Sequence, residues 1–266
     1  MDRRTSRKSK NTPRYSDFRF LEPFLLLGVN CSYRGHLTAP LDQRWQRGGW
    51  TSHFQWKHGG DFAHLDVFGV APRATSSWES ETRGLLASMH TVAEMKRTDR
   101  AKDWPFADSL GVKLIEAADL RGWLHIHNVE VLMDLKKRVP LPSDIVAQRP
   151  VLNLVVNDDS RLKSAVFAET VYWQQLDKIR LEIHDAAVRP YFRAVKKDTR
   201  LATADFNAQH EIRVQCAEKL LPCCPILDYG IDQMIVQARQ ATSELVVSSA
   251  LEWLPDVHRN FVGLER

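Results

Sequence analysis

The chain has 266 residues, 44% hydrophobic and 26% charged, with a formal net charge of +4 and a pI near 8.9. That is enough chain for one large domain or two small ones, with a core that needs no covalent staples. No stretch approaches the ~20 apolar residues of a membrane helix. None of the four cysteines, Cys31, Cys216, Cys223 and Cys224, forms a C-x-x-C pair, so neither a zinc ribbon nor a disulfide scaffold is indicated.

The charge is unevenly placed. Residues 1–19 carry Arg3, Arg4, Arg7, Lys8, Lys10, Arg14 and Arg19 against Asp2 and Asp17, a net of +5, which leaves −1 for the remaining 247 residues. A segment this polar and basic cannot bury a core, and the expectation is a disordered basic arm. FLEPFLLLGV follows at residues 20–29. The order resembles a secretory signal, but Asp17 and Glu22 interrupt it, Pro23 breaks it, and the apolar run after Pro23 is about six residues, short for such a segment. The expected location is therefore the cytoplasm, with reduced thiols.

FLLLGVNCSY, residues 24–33, reads as a buried strand, and PLDQRWQRGGW, residues 40–50, as turn. In the latter, Arg44 and Arg47 alternate with Trp45 and Trp50. Arginines among aromatics can stack on bases, but tryptophans packed into the core explain the pattern as well.

WKHGGDFAHLDVFG, residues 56–69, begins three positions after His53. His53, His58, Asp61, His64 and Asp66 crowd together here. Two glycines between alternating runs signal a two-residue hairpin turn. Folding at Gly59 and Gly60 sets Phe54 opposite Leu65, Trp56 opposite Ala63 and Ser52 opposite Val67 on one face. The other face pairs His53 with Asp66, Gln55 with His64, and Lys57 with Phe62. The alternation thus needs no metal. The alternative is a site in which His53, His64 and Asp66 hold a catalytic metal with one open position.

Residues 76–97 read as a helix, with Ser76 and Glu79 at capping-box spacing. DRAKDWP, residues 99–105, reads as a connector, and residues 111–127 as two short strands or a strand and a bend. His125 and His127 would then share a strand face, as a partly exposed pair without a companion carboxylate. Residues 128–138 suit a short helix capped by Asn128, with Lys136, Lys137 and Arg138 in its last turn. Val151 to Val156 reads as a strand, followed by a helix capped by Asp159 or Ser160 whose apolar face includes Leu162, Val166, Trp173, Leu176 and Ile183. Pro190 is expected to end or restart it. Helices are expected again over 205–221 and 231–253. The fold class is α+β, with a strand-rich first half and a mostly helical second half, divided into the arm 1–19, a mixed region 20–157 and a helical region 158–266.

DWPFADSLGVKLIEAADL (103–120), RPVLNLVVNDDSRLKSAVFAETVYWQQLDKI (149–179) and AEKLLPCCPILDYG (217–230) follow one another in an order of elements. That order resembles the AcaB-type transcriptional regulators of conjugative plasmids, within the integrative-conjugative-element protein family. The resemblance spans residues 103–230 and rests on pattern. The first 100 residues lie outside it. It implies a DNA-binding activator of transfer genes and assigns no base-contacting residue.

The expectation is a DNA-binding accessory or regulatory protein of a mobile genetic element, without a cofactor. Its partner would be nucleic acid, double-stranded DNA, contacted through Arg3, Arg4, Arg7, Lys8, Lys10, Arg14, Arg44 and Arg47, with a homo-oligomer or a protein assembly possible. The alternatives are a metal-dependent hydrolase or nuclease using the His/Asp cluster, and a structural component of a nucleoprotein assembly.

Overall fold

The computed structural model describes residues 31–35, 38–75, 82–83, 86–261 and 263–264. The basic arm, most of the first expected strand and the pair Ser76 and Glu79 lie outside these residues.

Strand β1 (Ser32–Tyr33) leads to a short helix, α1 (Gln43–Arg47), where a turn was expected. Asp42 starts it by accepting from the Arg44 amide at 2.9 Å. The tryptophans do pack inward. Trp45 and Trp50 are 1% and 2% exposed, and their indoles donate to the carbonyls of Leu221 and Pro222. Strands β2 (Thr51–His58) and β3 (Asp61–Phe68) form the expected hairpin, with His53 opposite Asp66 and Phe54 opposite Leu65. Gly59 takes the left-handed conformation at φ 62°, which a side chain at the turn would resist. The sheet order is β1-β2-β3, antiparallel throughout, and Phe54 carries its inner face onto Tyr33 and Leu41.

Two-residue strands β4 (Thr82–Arg83) and β5 (Leu86–Ala87) pair with each other. Helix α2 (Met89–Met95) starts late within the expected helix 76–97, because Ser88 caps it by accepting from the Thr91 amide at 3.1 Å. Helix α3 (Trp104–Glu116) and a 3-10 turn (Leu120–Leu124) occupy the residues read as a connector and two strands. Pro105 suits a first helical turn, and Ala107, Leu110, Gly111 and Leu114 make a buried helical stripe that the short apolar runs concealed. The turn packs hard on α3. A Cβ on Gly122 would sit 2.3 Å from the Gly111 carbonyl oxygen.

Helix α4 (Val129–Lys136) is as expected, its Asn128 cap accepting from Val131 at 3.1 Å. After α5 (Ser143–Gln148), the expected strand is instead the short helix α6 (Leu152–Val156). Val151, Leu152, Leu154 and Val155 are 1% exposed or less, and a run buried on all sides reads alike as strand or helix.

Helix α7 (Leu162–Lys197) then runs for 36 residues. Pro190 does not end it. Val188, Tyr191 and Val195 on both sides of the proline are buried in one core with Ala39, Trp45, Trp50, Ala217 and Leu221, and that packing offsets the missing amide. Helix α8 (Phe206–Leu220) is capped by Asp205 and stops before Pro222, as expected. Helix α9 (Pro225–Tyr229) precedes α10 (Ile231–Ser243). The last helix is shorter than expected, because Leu245 and Val247 are 58% exposed and bury no stripe beyond Ser243. A 3-10 turn (Ser248–Trp253) follows.

The molecule is of the α+β class, a small antiparallel sheet joined to a helical body organised around α7. Its cores cross the expected boundary at residue 157. One joins Trp123, Leu132 and Val151 to Leu162 and Val166, and another joins Trp104 to Tyr172, Met234 and Leu254.

Candidate functional site

Among the described residues, those singled out in the sequence are not brought together as a reactive centre. Asp66 Oδ1 receives Arg34 at 2.9 Å and meets His53 Nδ1 at 2.7 Å, while His64 is exposed on the neighbouring position of the same strand. Among the described residues no three His, Cys, Asp or Glu side chains are placed to hold a metal ion, so the trio His53, His64 and Asp66 is not assembled as a centre. Arg44 is bound to Asp42 and Glu218 at 2.8 Å each and lies 4.6 Å from the Trp45 ring, which ties α1 to α8. Arg47 is exposed. Arg3, Arg4, Arg7, Lys8, Lys10 and Arg14 fall outside the described residues.

The structure assembles something the sequence reading missed. Glu169, Trp173, Asp177, Arg180 and His184 recur every three or four residues and share one face of α7. Two cavities lie along this face and share Trp173 and Asn260 in their walls. The larger, about 620 Å³ of space open to solvent, is walled mainly by Val70, Ala71, Leu176, Ile226 and Phe261. Its polar end holds Arg73, Arg180 and Asp177. Asp177 accepts from Arg73 at 2.6 Å, from Arg180 at 3.0 Å and from the Asp99 amide at 3.1 Å. Burial pushes this carboxyl up, but Arg180 and Arg73 outweigh it and hold the group below the usual carboxylate range. Two arginines on one carboxylate leave this end net positive. Arg73 is itself in the left-handed region at φ 66°, and burial brings its guanidinium down to about 10. It also donates to the Met95 carbonyl, and its own carbonyl accepts from Asn260 at 2.7 Å. His184 closes the far end edge-on to Trp50. Burial first, then Arg180, lowers it to about 4, so it sits there as a neutral imidazole.

Beside the smaller cavity, of about 390 Å³, Glu169 binds buried Arg149 through both carboxylate oxygens at 2.6–3.0 Å. Arg149 also donates to the carbonyls of Trp123 and Ile126. Next to this pair runs a chain of polar contacts whose direction is fixed by its arginine. Arg97 can only donate, so His125 Nδ1, 3.2 Å away, must accept. His125 Nε2 then carries the proton and donates to His90 Nδ1 at 2.8 Å, which turns the His90 Nε2 proton toward Glu94 at 3.7 Å. Glu94 in turn accepts from the Thr75 amide and hydroxyl. His125 and His127 are therefore not a partly exposed strand pair. His125 is 1% exposed and the His127 side chain 5%, and carboxylates stand close by, Glu169 at 3.8 Å from His127 and Asp108 on its amide at 2.5 Å. Burial lowers both imidazoles well below the ordinary value, with Arg97 adding to it at His125 and Arg149 at His127. The relay holds three chain segments in register. One signal was available in the sequence: charged residues falling on the apolar stripe of the long helix.

A third feature is a basic surface. Arg193, Lys196 and Lys197 are exposed at the end of α7, where Arg189 and Arg200 are matched by Asp185 and Asp198. Helix α8 packs on this part of α7 and on β1. Tyr33 stacks on Phe206 at 5.7 Å, and its hydroxyl meets His210 Nδ1 at 2.8 Å. The described chain thus begins, at Cys31, against the same helix that flanks the basic end of α7.

No family model, curated protein or solved structure matches this chain.

Proposed function

We propose that this chain binds double-stranded DNA and acts, without catalysis, as an accessory or regulatory protein of a mobile genetic element, specifically as an activator of conjugation genes. One observation carries the DNA reading: residues 1–19 hold a net charge of +5 while the other 247 residues sum to −1. An arm of this kind supplies affinity by displacing counterions from phosphates, and the folded body supplies whatever sequence choice there is. Arg193, Lys196 and Lys197, exposed at the end of α7, add cations on the folded body. The regulatory role is what the resemblance to AcaB-type regulators implies.

The test is fluorescence anisotropy of a labelled duplex over a salt series, with the full chain and with a chain lacking residues 1–14. Six cations lie in the deleted segment. The truncation is expected to flatten the log–log salt slope by up to ~5, at about 0.9 for each phosphate contact. Absence of binding by the full chain at low salt would overturn the proposal. Selection from random duplexes tests the regulatory part: enrichment of one sequence supports it, and binding indifferent to sequence refutes it.

A further inference from the structure

We infer that β3 pairs antiparallel with β3 of a second copy of this chain, centred on Leu65, to make one continuous sheet across a homodimer. Strand β3 is the edge of its sheet and pairs residue for residue with β2 over all eight positions, without a bulge. From Asp61 to Val67 no described residue hydrogen-bonds to its outer edge. Edge strands that must stay single are commonly protected by charge, above all lysine, by proline, by a bulge or by short length; DFAHLDVF has no lysine, proline or bulge, and of its two aspartates Asp66 is already matched by Arg34.

The ladder shows which groups are on offer. In a hairpin closed by a two-residue turn, the pair flanking the turn exchanges hydrogen bonds, and alternate pairs after it do the same. His58 and Asp61 are that pair, so Ala63, Leu65 and Val67 direct their amides and carbonyls to β2. Phe62, His64 and Asp66 direct theirs outward.

The side chains then select the register and the occupant. With Leu65 opposite Leu65 of the second copy, His64 faces Asp66 twice across the two-fold axis, donor against acceptor. Asp66 has capacity for this, because Arg34 and His53 both engage its Oδ1. Phe62, 63% exposed, comes opposite Phe68, and Ala63 opposite Val67, which continues the apolar inner face. Shifting the centre to Asp66 sets two carboxylates against each other, and shifting it to His64 sets Phe62 against Asp66. Of these three registers, the one centred on Leu65 satisfies both faces. The occupant is a second copy because the strand is complementary to itself, as a two-fold interface requires.

The inference is independent of DNA binding and is tested without DNA. Sedimentation velocity of the full chain over a concentration series is expected to show a monomer–dimer equilibrium. His64→Pro removes one outward amide and leaves the ladder to β2 intact, so it is expected to raise the dimer dissociation constant tenfold or more. Cysteine substitution reads the register even if that variant folds poorly. In L65C the two introduced thiols lie on the two-fold axis with Cα atoms ~4.5 Å apart in a non-hydrogen-bonded pair, within disulfide reach. In H64C they are about 8 Å apart and out of reach. Mild oxidation should therefore cross-link L65C into a dimer well above the background of the native cysteines, and H64C should not exceed that background. A wild-type chain that stays monomeric at every concentration overturns the inference, as does cross-linking of H64C equal to that of L65C.

Discussion

At the scale of single residues, several ionisable groups lie inside the molecule, among them His125, His184, Arg149 and Glu169, and these bear on how it responds to acid. A histidine held neutral by burial binds fewer protons than the same histidine in the unfolded chain. Its contribution to stability is complete above the unfolded value of about 6.5 and is lost as pH falls below it, toward the folded value. For His184 the loss runs from about 6.5 down to about 4, and His125 and His127 lose in the same direction. Each adds up to ~1.4 kcal/mol per pH unit within its window. Urea denaturation near pH 7.5 and near pH 5 should find the chain weaker at the lower pH, with a shallower dependence in His184→Gln; equal stability at both would contradict the burial of these rings. The Arg149–Glu169 pair gives a second expectation. Glu169→Ala leaves a guanidinium that is 3% exposed without its carboxylate, at an expected cost of ~3–5 kcal/mol. The double substitution R149M/E169L should cost less than that by the same measurement, since it removes the orphaned charge. None of these partners was legible in the sequence. Glu169 and Arg149 stand 20 positions apart, and His90 and His125 stand 35 apart. Only the fold brings them into contact.

Among the elements, legibility followed how local the deciding physics is. The hairpin was readable to its register because alternation and a Gly-Gly turn are written within 18 residues, 51–68. The helix after Asn128 was readable from its cap. The segments 104–124 and 152–156 were not, because their apolar runs are short and buried on several sides, and the pattern that separates strand from helix disappears there. What decides the first is the contact between α3 and the turn at Leu120–Leu124, where two glycine backbones approach too closely for any side chain. Gly122→Ala should force them apart and lower stability by ~1–3 kcal/mol or more. Gly60→Ala, at a turn with open space around it, should change stability by no more than about 0.5 kcal/mol. Comparing the thermal unfolding of the two variants checks the assignment, and equal losses would refute it.

For the molecule as a whole, the class and the division of charge were both evident before any coordinates, because each is a property of composition along the chain. Packing is not a property of composition: α7 draws its partners from residues 39–50, 104 and 226–257 alike. The DNA affinity expected here belongs to this scale too. A body of net −1 draws a polyanion only weakly at long range, so loss of residues 1–14 should lower affinity at low salt as well as flatten the salt slope, leaving what the exposed cations of α7 supply. The clamp at Arg73 bears on the order of events in the cell. Its carbonyl waits for Asn260, and the core over α7 waits for Leu254 and Val257. A nascent chain can therefore close its hairpin early, but it cannot seal its longest helix until residues 254–260 have been synthesised, and until then that helix is the surface a chaperone would find.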